Sequence, residues 1–377
     1  MKINIKNNNI NLVIARLALF NVILHLIVSY NLEYHRDELL YFSLGLHPGF
    51  GYATVPPLIG WIAWLMQNIF GYSLFAVRLF PAVLSGLMIF LISALAKELG
   101  GSGYSRILAG IGLIISGLAL RTFLLFQPVH IDLMFWTLSV YLIIKYINSK
   151  SERYLILFGI TAGLALLNKY LIGLLLLSFL VIIPFTQYRY IFGKRKFWIG
   201  ILAGTIIFLP NLIWQFANGL PVINHLNELN RTQLANVDRV AFLTDQILMP
   251  TAASVLTIAG IFFLFINKNV RKFSFLGVVA IFVIVFLMLL KGKSYYTIGV
   301  FPFLIAAGAV SAERLLKRSW SKILLPLVLI ILTIPVLPMG MPIYKPEGLV
   351  KYFNELAEKY GIYIGRRFED GSIHSLP

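Results

Sequence analysis

Three adjacent charged residues, Arg36, Asp37 and Glu38, follow the first long apolar run of the chain. The sequence is 59% hydrophobic and only 12% charged, so acids beside an apolar segment are scarce. Ionised groups close to a membrane interior are energetically costly and commonly mark functional sites. A carboxylate at this place can take a proton from a hydroxyl or an amine. The alternative is a solvated loop that merely contains acids.

Later apolar runs also begin or break at polar residues. Asp132, at the start of one run, either takes part in chemistry or favours the positive end of a helix. Nearby His130 is a metal ligand, a proton carrier or an ordinary polar contact, and no paired-histidine spacing favours a metal. The ammonium of Lys169, inside an apolar stretch, must reach the interface, pair with an acid or bind an anion. Other candidate cations are Arg78, Arg121, Lys291 and Lys293.

Apolar runs recur along nearly all of the 377 residues and predict an all-α integral membrane protein. Helices satisfy their backbone hydrogen bonds internally in lipid, and the alternating pattern of barrel strands is absent. Each run approaches the roughly 20 residues needed to cross about 30 Å of hydrocarbon. The runs cover residues 11–30, 75–96, 107–120, 133–147, 197–216, 247–266, 273–290, 296–312 and 322–338.

The apolar stretch from Tyr154 to Tyr188 decides the number of crossings. It is too long for one straight helix and slightly short for two full spans. Both flanks are basic, and short basic loops belong on the cytoplasmic side. The stretch must therefore cross twice and turn near Asn168-Lys169-Tyr170. The prediction is about eleven spans, with the amino terminus inside and the carboxyl terminus outside.

The charge and the cysteine content exclude several classes of function. The formal net charge of +17 is mainly this orientation signal, and it argues against a nucleic-acid partner, which requires a basic patch on one folded face. The chain has no cysteine, which excludes disulfides, thiolate metal sites and a thiol nucleophile. The first run lacks a small-residue cleavage site, so we expect a retained helix.

The first outer segment, residues 31–74, contains the run Leu58–Leu65 with two tryptophans. Pro56-Pro57 and Gln67-Asn68 keep this run short, which favours a helix on the membrane surface over an additional span. The outer half thus combines carboxylates with several cations. A phosphate group can leave without being protonated if cations neutralise it, and only the acceptor then needs a base. Sugar transfer from a lipid phosphate fits this description.

Eight motifs between about residues 11 and 340 also occur together in a known group. They are Tyr34-His35-Arg36-Asp37-Glu38-Leu39-Leu40-Tyr41, Gly51-Tyr52, Pro56-Pro57-Leu58, Arg78-Leu79-Phe80-Pro81, His130-Ile131-Asp132, Leu166-Leu167-Asn168-Lys169-Tyr170, Pro210-Asn211-Leu212-Ile213-Trp214-Gln215 and Lys293-Ser294-Tyr295-Tyr296. In this order they resemble the bacterial protein O-mannosyltransferase and lipid A aminoarabinose transferase group, similar to glycosyltransferase families 39 and 83. These are multi-span glycosyltransferases of the GT-C architecture.

The resemblance implies a GT-C helical bundle, a polyprenyl-phosphate sugar donor and an acceptor on the outer side. It implies a catalytic Asp in the first outer loop, here Asp37, with Glu38 and Asp132 as supporting acids. Lys169, Lys293 and Tyr296 fall near donor-phosphate contacts. The other substrate-binding candidates are Arg36, Arg78, Arg121, His130, Tyr170 and Tyr295. The need for a divalent metal stays open, since Thr54-Val55 stands where relatives often carry charged residues.

The sequence thus predicts a glycosyltransferase module at 1–340 and the start of an outer carboxyl-terminal segment at 341–377, a region that is commonly larger in relatives. We expect a bacterial inner-membrane enzyme that transfers a sugar to a lipid, glycan or protein acceptor, with inversion and with Asp37 as base. A retaining route would also use carboxylates. The competing class is a flippase or transporter of lipid-linked sugars. Transporters often show internal repeats and midplane sites; no convincing repeat is present here, and the charges gather at the outer ends of the spans.

Overall fold

A computed structural model describes residues 7–268 and 270–361, and every regular element assigned in these ranges is helical. These ranges contain eighteen α-helices, which are numbered in chain order. They are α1 Asn7–Ser29, α2 Arg36–Ser43, α3 Leu58–Phe70, α4 Leu74–Glu98, α5 Gly103–Ile114, α6 Gly117–Thr122, α7 Pro128–Ser149, α8 Arg153–Leu166, α9 Ile172–Ile182, α10 Arg195–Ala217, α11 Pro221–Thr232, α12 Arg239–Leu248, α13 Ser254–Ile266, α14 Ser274–Leu289, α15 Phe301–Leu315, α16 Ser319–Thr333, α17 Leu337–Gly340 and α18 Pro346–Tyr360.

The protein is a multi-span membrane protein. Within the described residues, seven helical segments are long and apolar enough to cross a membrane, or eight if α12 and α13 form one broken span. Four further apolar helices are shorter: α3, α5, α8 and α9 with its 3₁₀ extension to Phe185. The helical fold class predicted from the sequence is confirmed, whereas the number of about eleven crossings stays a prediction.

The spans divide into central and peripheral helices. The segment Ser294–Leu315, which contains α15, has 89% of its most apolar window buried inside the protein, α7 has 72% and α4 has 61%. The corresponding windows of α10 and of Ser319–Gly340 are only 17% buried. Apolar side chains that face outward on a spanning helix are matched by lipid. These three segments therefore form the interior against which the other elements are packed.

The stretch predicted to cross twice is divided at the predicted turn. Helix α8 ends at Leu166 and α9 begins at Ile172, so Asn168, Lys169 and Tyr170 lie in the connection. Helix α8 packs closely along α10, where Gly159 and Gly163 face Gly200 and Gly204; a Cβ atom at any of these glycines would overlap the backbone of the other helix. Such small residues allow close helix contact in a membrane.

Two predicted runs are wrong as single helices. The run 107–120 is interrupted between α5 and α6, and the run 247–266 contains a 90° bend at Pro250, which cannot continue α12 with a backbone N–H. The backbone groups left free at the two breaks form hydrogen bonds with each other's segment. Thr251 Oγ1 donates to the carbonyl of Ile115, and the Leu118 N–H donates to the carbonyl of Met249. Thr251 has a φ of 52°. A β-branched residue at positive φ is strained, and here these tertiary hydrogen bonds hold it.

The segment between α1 and α4 is folded compactly against itself and against α8. Gln67 Nε2 donates to the carbonyl of Phe42 over 2.5 Å, and Trp61 Nε1 donates to that of Gly49 over 2.7 Å. The Leu58 N–H donates to the carbonyl of Leu167, just before Lys169. With 13 residues, α3 is shorter than a span. These contacts bring α2 close to the α8–α9 connection.

The predicted carboxyl-terminal segment begins with an extended stretch and α18, whose Leu349 and Phe353 are 3% and 4% exposed. Residues 362–377 of this predicted segment lie outside the described residues. The boundary at 340/341 stays a prediction.

Candidate active site

The charged cluster lies at the amino-terminal end of α2. The Asp37 N–H donates to His35 Nδ1 over 3.1 Å, and the His35 N–H donates to Glu38 Oε2 over 2.9 Å. This arrangement resembles a capping box: the side chain of Glu38 accepts from the N–H of the residue before the helix, and the side chain of that residue accepts from the N–H of the second helical residue. The cap fixes the first turn of α2 and thereby the position of Asp37.

Glu38 points into the protein and pairs with Arg78 of α4. Arg78 Nη2 lies 2.9 Å from Glu38 Oε2, and Arg78 Nε donates to Oε1 over 3.1 Å. The Phe126 N–H also donates to Oε1, over 3.3 Å. Arg78 donates its remaining N–H groups to the carbonyls of Ser29, Leu32 and Glu33. Both predicted site residues are therefore occupied by contacts within the protein, and no donor of Arg78 is left for a substrate phosphate.

Asp37 points the other way and is partly open to solvent. Its side chain is 35% exposed, Gln127 Nε2 donates to Oδ2 over 3.1 Å, and Arg36 Nε lies 3.4 Å from Oδ1. Arg36 itself is 78% exposed. Gln127 precedes α7, so it joins the first outer segment to the second. This contact could not be predicted from the sequence, because a neutral amide near a proline resembles any other loop residue.

Lys169 lies over an aromatic pair. Its Nζ is 5.4 Å from the ring centroid of Tyr295 and 5.2 Å from that of Tyr296, and the two rings contact edge to face at 4.8 Å. Tyr295 is also within electrostatic range of Asp37 and Tyr41. The structure thus brings Asp37 and Lys169 to the same aromatic pair. A base and a cation near the same two tyrosines can serve a reaction that removes a proton from one group and stabilises negative charge on another.

Tyr41, one turn after Asp37 on α2, completes this side of the cluster. Burial, with smaller contributions from the nearby Asp37 and Tyr296, raises the pKa of Tyr41 to about 12. Its hydroxyl therefore stays protonated near neutral pH and is able to donate a hydrogen bond. Tyr41 was part of a motif but not a predicted site residue, because tyrosines are frequent at membrane interfaces.

Asp132 and His130 are both deeply buried near the start of α7. Asp132 is 1% exposed and lies within electrostatic range of Lys169. His130 is fully buried, with its ring centroid 5.7 Å from that of Phe80 and 6.2 Å from that of Phe126. Asp132 is therefore placed to act on Lys169, whereas His130 is enclosed by aromatic rings.

Tyr170 joins the α8–α9 connection to α10. Its hydroxyl donates to Asn211 Oδ1 over 2.7 Å and accepts from Gln215 Nε2 over 2.9 Å. Asn211 Nδ2 donates in turn to the carbonyl of Phe50 in the first outer segment, over 2.6 Å. This chain of hydrogen bonds fixes the backbone next to Lys169.

The last two predicted cations lie on different sides of this cluster. Lys293 Nζ is 5.9 Å from the Tyr295 ring centroid and donates to Gln233 Oε1, so it borders the aromatic pair. Arg121, at the end of α6, interacts electrostatically with Glu38 and His35 and has no contact with the aromatic pair among the described residues. As for a metal, no group of three or more His, Asp or Glu side chains that could hold an ion occurs in residues 7–268 and 270–361.

Comparisons with known proteins support this picture of the fold. Residues 54–214 match the family model of dolichyl-phosphate-mannose-protein mannosyltransferases, and no curated protein sequence matches the chain significantly. The solved structure of ArnT from Cupriavidus metallidurans bound to undecaprenyl phosphate is similar, with a TM-score of 0.70 and 16% identity over 86% of this chain and 64% of that one.

Two more solved structures share the architecture. The apo oligosaccharyltransferase of Archaeoglobus fulgidus has a TM-score of 0.59 and 12% identity, covering 94% of this chain and 58% of that one. The arabinofuranosyltransferase AftD from Mycobacteria has a TM-score of 0.56 and 15% identity, covering 94% and 30%. The chain has the GT-C glycosyltransferase fold. Its resemblance to the protein O-mannosyltransferase and aminoarabinose transferase group is thereby confirmed.

The GT-C chain spans less than two thirds of the length of each of these solved structures. The matched range of the family model includes Asp132, Lys169 and Tyr170 but begins after Asp37 and ends before Tyr295. The grouping of Asp37 with the aromatic pair therefore comes from the geometry of this chain and not from the family match.

Proposed function

We propose that this protein is a glycosyltransferase of the bacterial inner membrane that moves a sugar from a polyprenyl phosphate to an acceptor at the outer face. The observation that carries the proposal is the convergence of Asp37 and Lys169 on the Tyr295–Tyr296 pair. Two comparisons support the donor class. ArnT was solved with undecaprenyl phosphate, and the matching family is named for dolichyl-phosphate-mannose.

In the proposed reaction Asp37 takes the proton of an acceptor hydroxyl or amine. The freed electron pair forms a bond to the anomeric carbon as the bond between that carbon and the phosphate oxygen breaks. The polyprenyl phosphate leaves with the bonding electrons, and Lys169 neutralises part of its negative charge, so no acid is needed. One displacement with one base inverts the anomeric centre.

The other predicted site residues take supporting roles in this proposal. Glu38 and Arg78 hold the segment that carries Asp37, since their contacts lie within the protein. Asp132 balances and orients Lys169, and Tyr170 fixes the connection beside it. Lys293 and Tyr296 border the place of the donor phosphate. The acceptor is a lipid, a glycan or a protein.

Release of free polyprenyl phosphate tests the reaction without knowledge of the acceptor. Purified protein would be given a panel of polyprenyl-phosphate hexoses and pentoses together with host membrane extract. We expect release from at least one donor, coupled to transfer of its label. Movement of an intact donor across liposomes, with no release from any donor, would instead identify a transporter.

Cysteine labelling tests which side of the membrane the candidate site faces. The natural chain has no cysteine, so only the introduced residue can react. Ser43, at the end of α2, and Ser149, at the end of α7, are both exposed and stand at opposite ends of the proposed topology. Ser43→Cys in intact cells should react with an impermeant thiol reagent, and Ser149→Cys should react only after permeabilisation. The reverse pattern would place the site in the cytoplasm.

A further inference from the structure

A cavity of about 210 Å³ lies between the first outer segment and the carboxyl-terminal segment. Residues 32–35, together with Arg121, Leu124 and Leu125, form one side, and residues 338, 339, 341 and 342 together with α18 form the other. Its walls are mainly apolar and include Leu124, Leu125, Met339, Met341, Leu349 and Phe353. Neither Asp37 nor Lys169 lines it, so it is separate from the candidate active site.

The polar part of the cavity is a pair of guanidinium groups. Arg78 has its N–H groups engaged by Glu38 and by three carbonyls, as described above. Arg121 donates no hydrogen bond to a residue in the described ranges, and burial lowers the pKa of its guanidinium while Glu38 raises it. Two arginines thus face one buried carboxylate, which leaves one positive charge. Glu33, the acid at the rim, is exposed to water.

The cavity lies at the ends of candidate membrane spans, which is where lipid headgroups are found. Its lining lies next to the ends of three spanning helical segments: residues 32–35 come after Ser29, Leu124 and Leu125 precede Pro128, and Met341 follows Gly340. At this depth an amphiphile exposes its polar head beside its first methylene groups. An unpaired guanidinium next to apolar walls offers a partner to both parts, because guanidinium binds phosphate and carboxylate with two parallel hydrogen bonds.

We propose that this cavity binds the anionic headgroup of an amphiphile, with a phosphate or carboxylate on Arg121 and the adjoining apolar chain against Met339 and α18. The site is a second one, and it does not depend on the proposed glycosyl transfer. Helix α18 contributes Leu349 and Phe353 to it while Lys351 remains exposed on its outer side. The same segment therefore supplies a matched control for loss of charge.

The test measures binding of dioctanoyl phosphatidate to the full chain, purified in a non-ionic detergent, by native mass spectrometry. Dioctanoylglycerol and inorganic phosphate serve as the apolar and the anionic half of the probe. We expect phosphatidate to bind at least tenfold more tightly than either half. Arg121→Gln should weaken its binding at least tenfold, since charge-assisted bidentate bonds are among the strongest polar contacts. Lys351→Gln should change it less than twofold.

Two further variants keep the test decisive if Arg121→Gln does not fold. Arg121→Lys retains the charge but loses the planar fork, so it should bind phosphatidate more weakly than the natural chain. Met339→Trp fills the cavity without touching a charge, and it should abolish binding. Unchanged binding in the Arg121 variants or in Met339→Trp would overturn the proposal. If dioctanoylglycerol bound as tightly as phosphatidate, the site would not require an anionic group. If inorganic phosphate bound as tightly as phosphatidate, the site would not require an apolar chain. Either result would overturn the proposal.

Discussion

Arg78 Nη2 lies 2.9 Å from Glu38 Oε2, in an ion pair whose side chains are only 2% and 0% exposed. The same guanidinium donates to the carbonyls of Leu32 and Glu33, over 2.8 and 2.7 Å. Arg78 thus attaches the segment after α1 and the first turn of α2 to α4. Because this ion pair holds the first turn of α2, it also fixes the position of Asp37, the neighbour of Glu38.

Arg78→Met should lower the free energy of unfolding of the protein, because the contacts of Arg78 lie within the protein. Removal of one partner leaves Glu38 as an uncompensated buried charge, which typically costs about 3–5 kcal/mol. The measurement is the thermal unfolding midpoint in detergent. Arg36→Met is the matched control, because Arg36 is 78% exposed and an exposed ion pair contributes little. Equal midpoints for the two variants would contradict the structural role of Arg78.

His35 should make the stability depend on pH. Burial lowers the pKa of His35, Asp37 raises it and Arg121 lowers it, with a net decrease from its ordinary value. An unfolded histidine takes up its proton near pH 6.5, before the folded one does. The stability that the neutral His35 contributes is therefore fully present above about pH 6.5, and it is lost as the pH falls through the lower pKa of the folded state.

The measurement is the unfolding midpoint between pH 7 and pH 5. In His35→Asn the midpoint should fall less between pH 7 and pH 5 than in the natural chain, because asparagine also caps a helix and does not titrate in this range. His47→Asn, an exposed site, should keep the decrease of the natural chain. If His35→Asn keeps the full decrease as well, the pH dependence arises elsewhere.

Lys169→Met should weaken the use of the donor while leaving the helices intact. If Lys169 binds the donor phosphate in the ground state, the apparent KM for the donor should rise about 10- to 100-fold, with a smaller effect on kcat. Lys291→Met removes a nearby charge whose Nζ donates to the carbonyl of Ala235, and it should leave the KM for the donor nearly unchanged. Equal kinetics of the two variants would assign Lys169 to packing against Tyr295 and Tyr296 alone.

The apolar runs predicted the helices well because a membrane imposes one length and one hydrogen-bonding solution on each span. The division of the stretch 154–188 also followed from its length and flanking charges. The interruptions at Ser116 and Pro250 could not be located in the same way. Each is stabilised by the other through Thr251 and Met249, which are 130 residues or more away in the sequence from their partners at Ile115 and Leu118.

The site was predictable in composition but not in the roles of its members. Acids and cations near the outer ends of spans identified Asp37 and Lys169, which meet at the aromatic pair. The same criterion selected Arg78 and Glu38, because the charge of a residue does not reveal whether its partner is a substrate or another side chain. Gln127 was missed, since its importance lies in one contact with Asp37.

The most direct test of the central claim is the transfer activity of Asp37→Asn. Asparagine has nearly the shape of aspartate but cannot accept the proton of the acceptor, and a general base contributes about 10²- to 10⁴-fold in rate. With purified protein and a labelled polyprenyl-phosphate sugar, kcat should fall by that factor while folding and donor binding persist. Gln127→Leu, which removes only a donor to Asp37, should lower kcat by about tenfold. Near-normal kcat in a folded Asp37→Asn variant would contradict the assignment of Asp37 as the base.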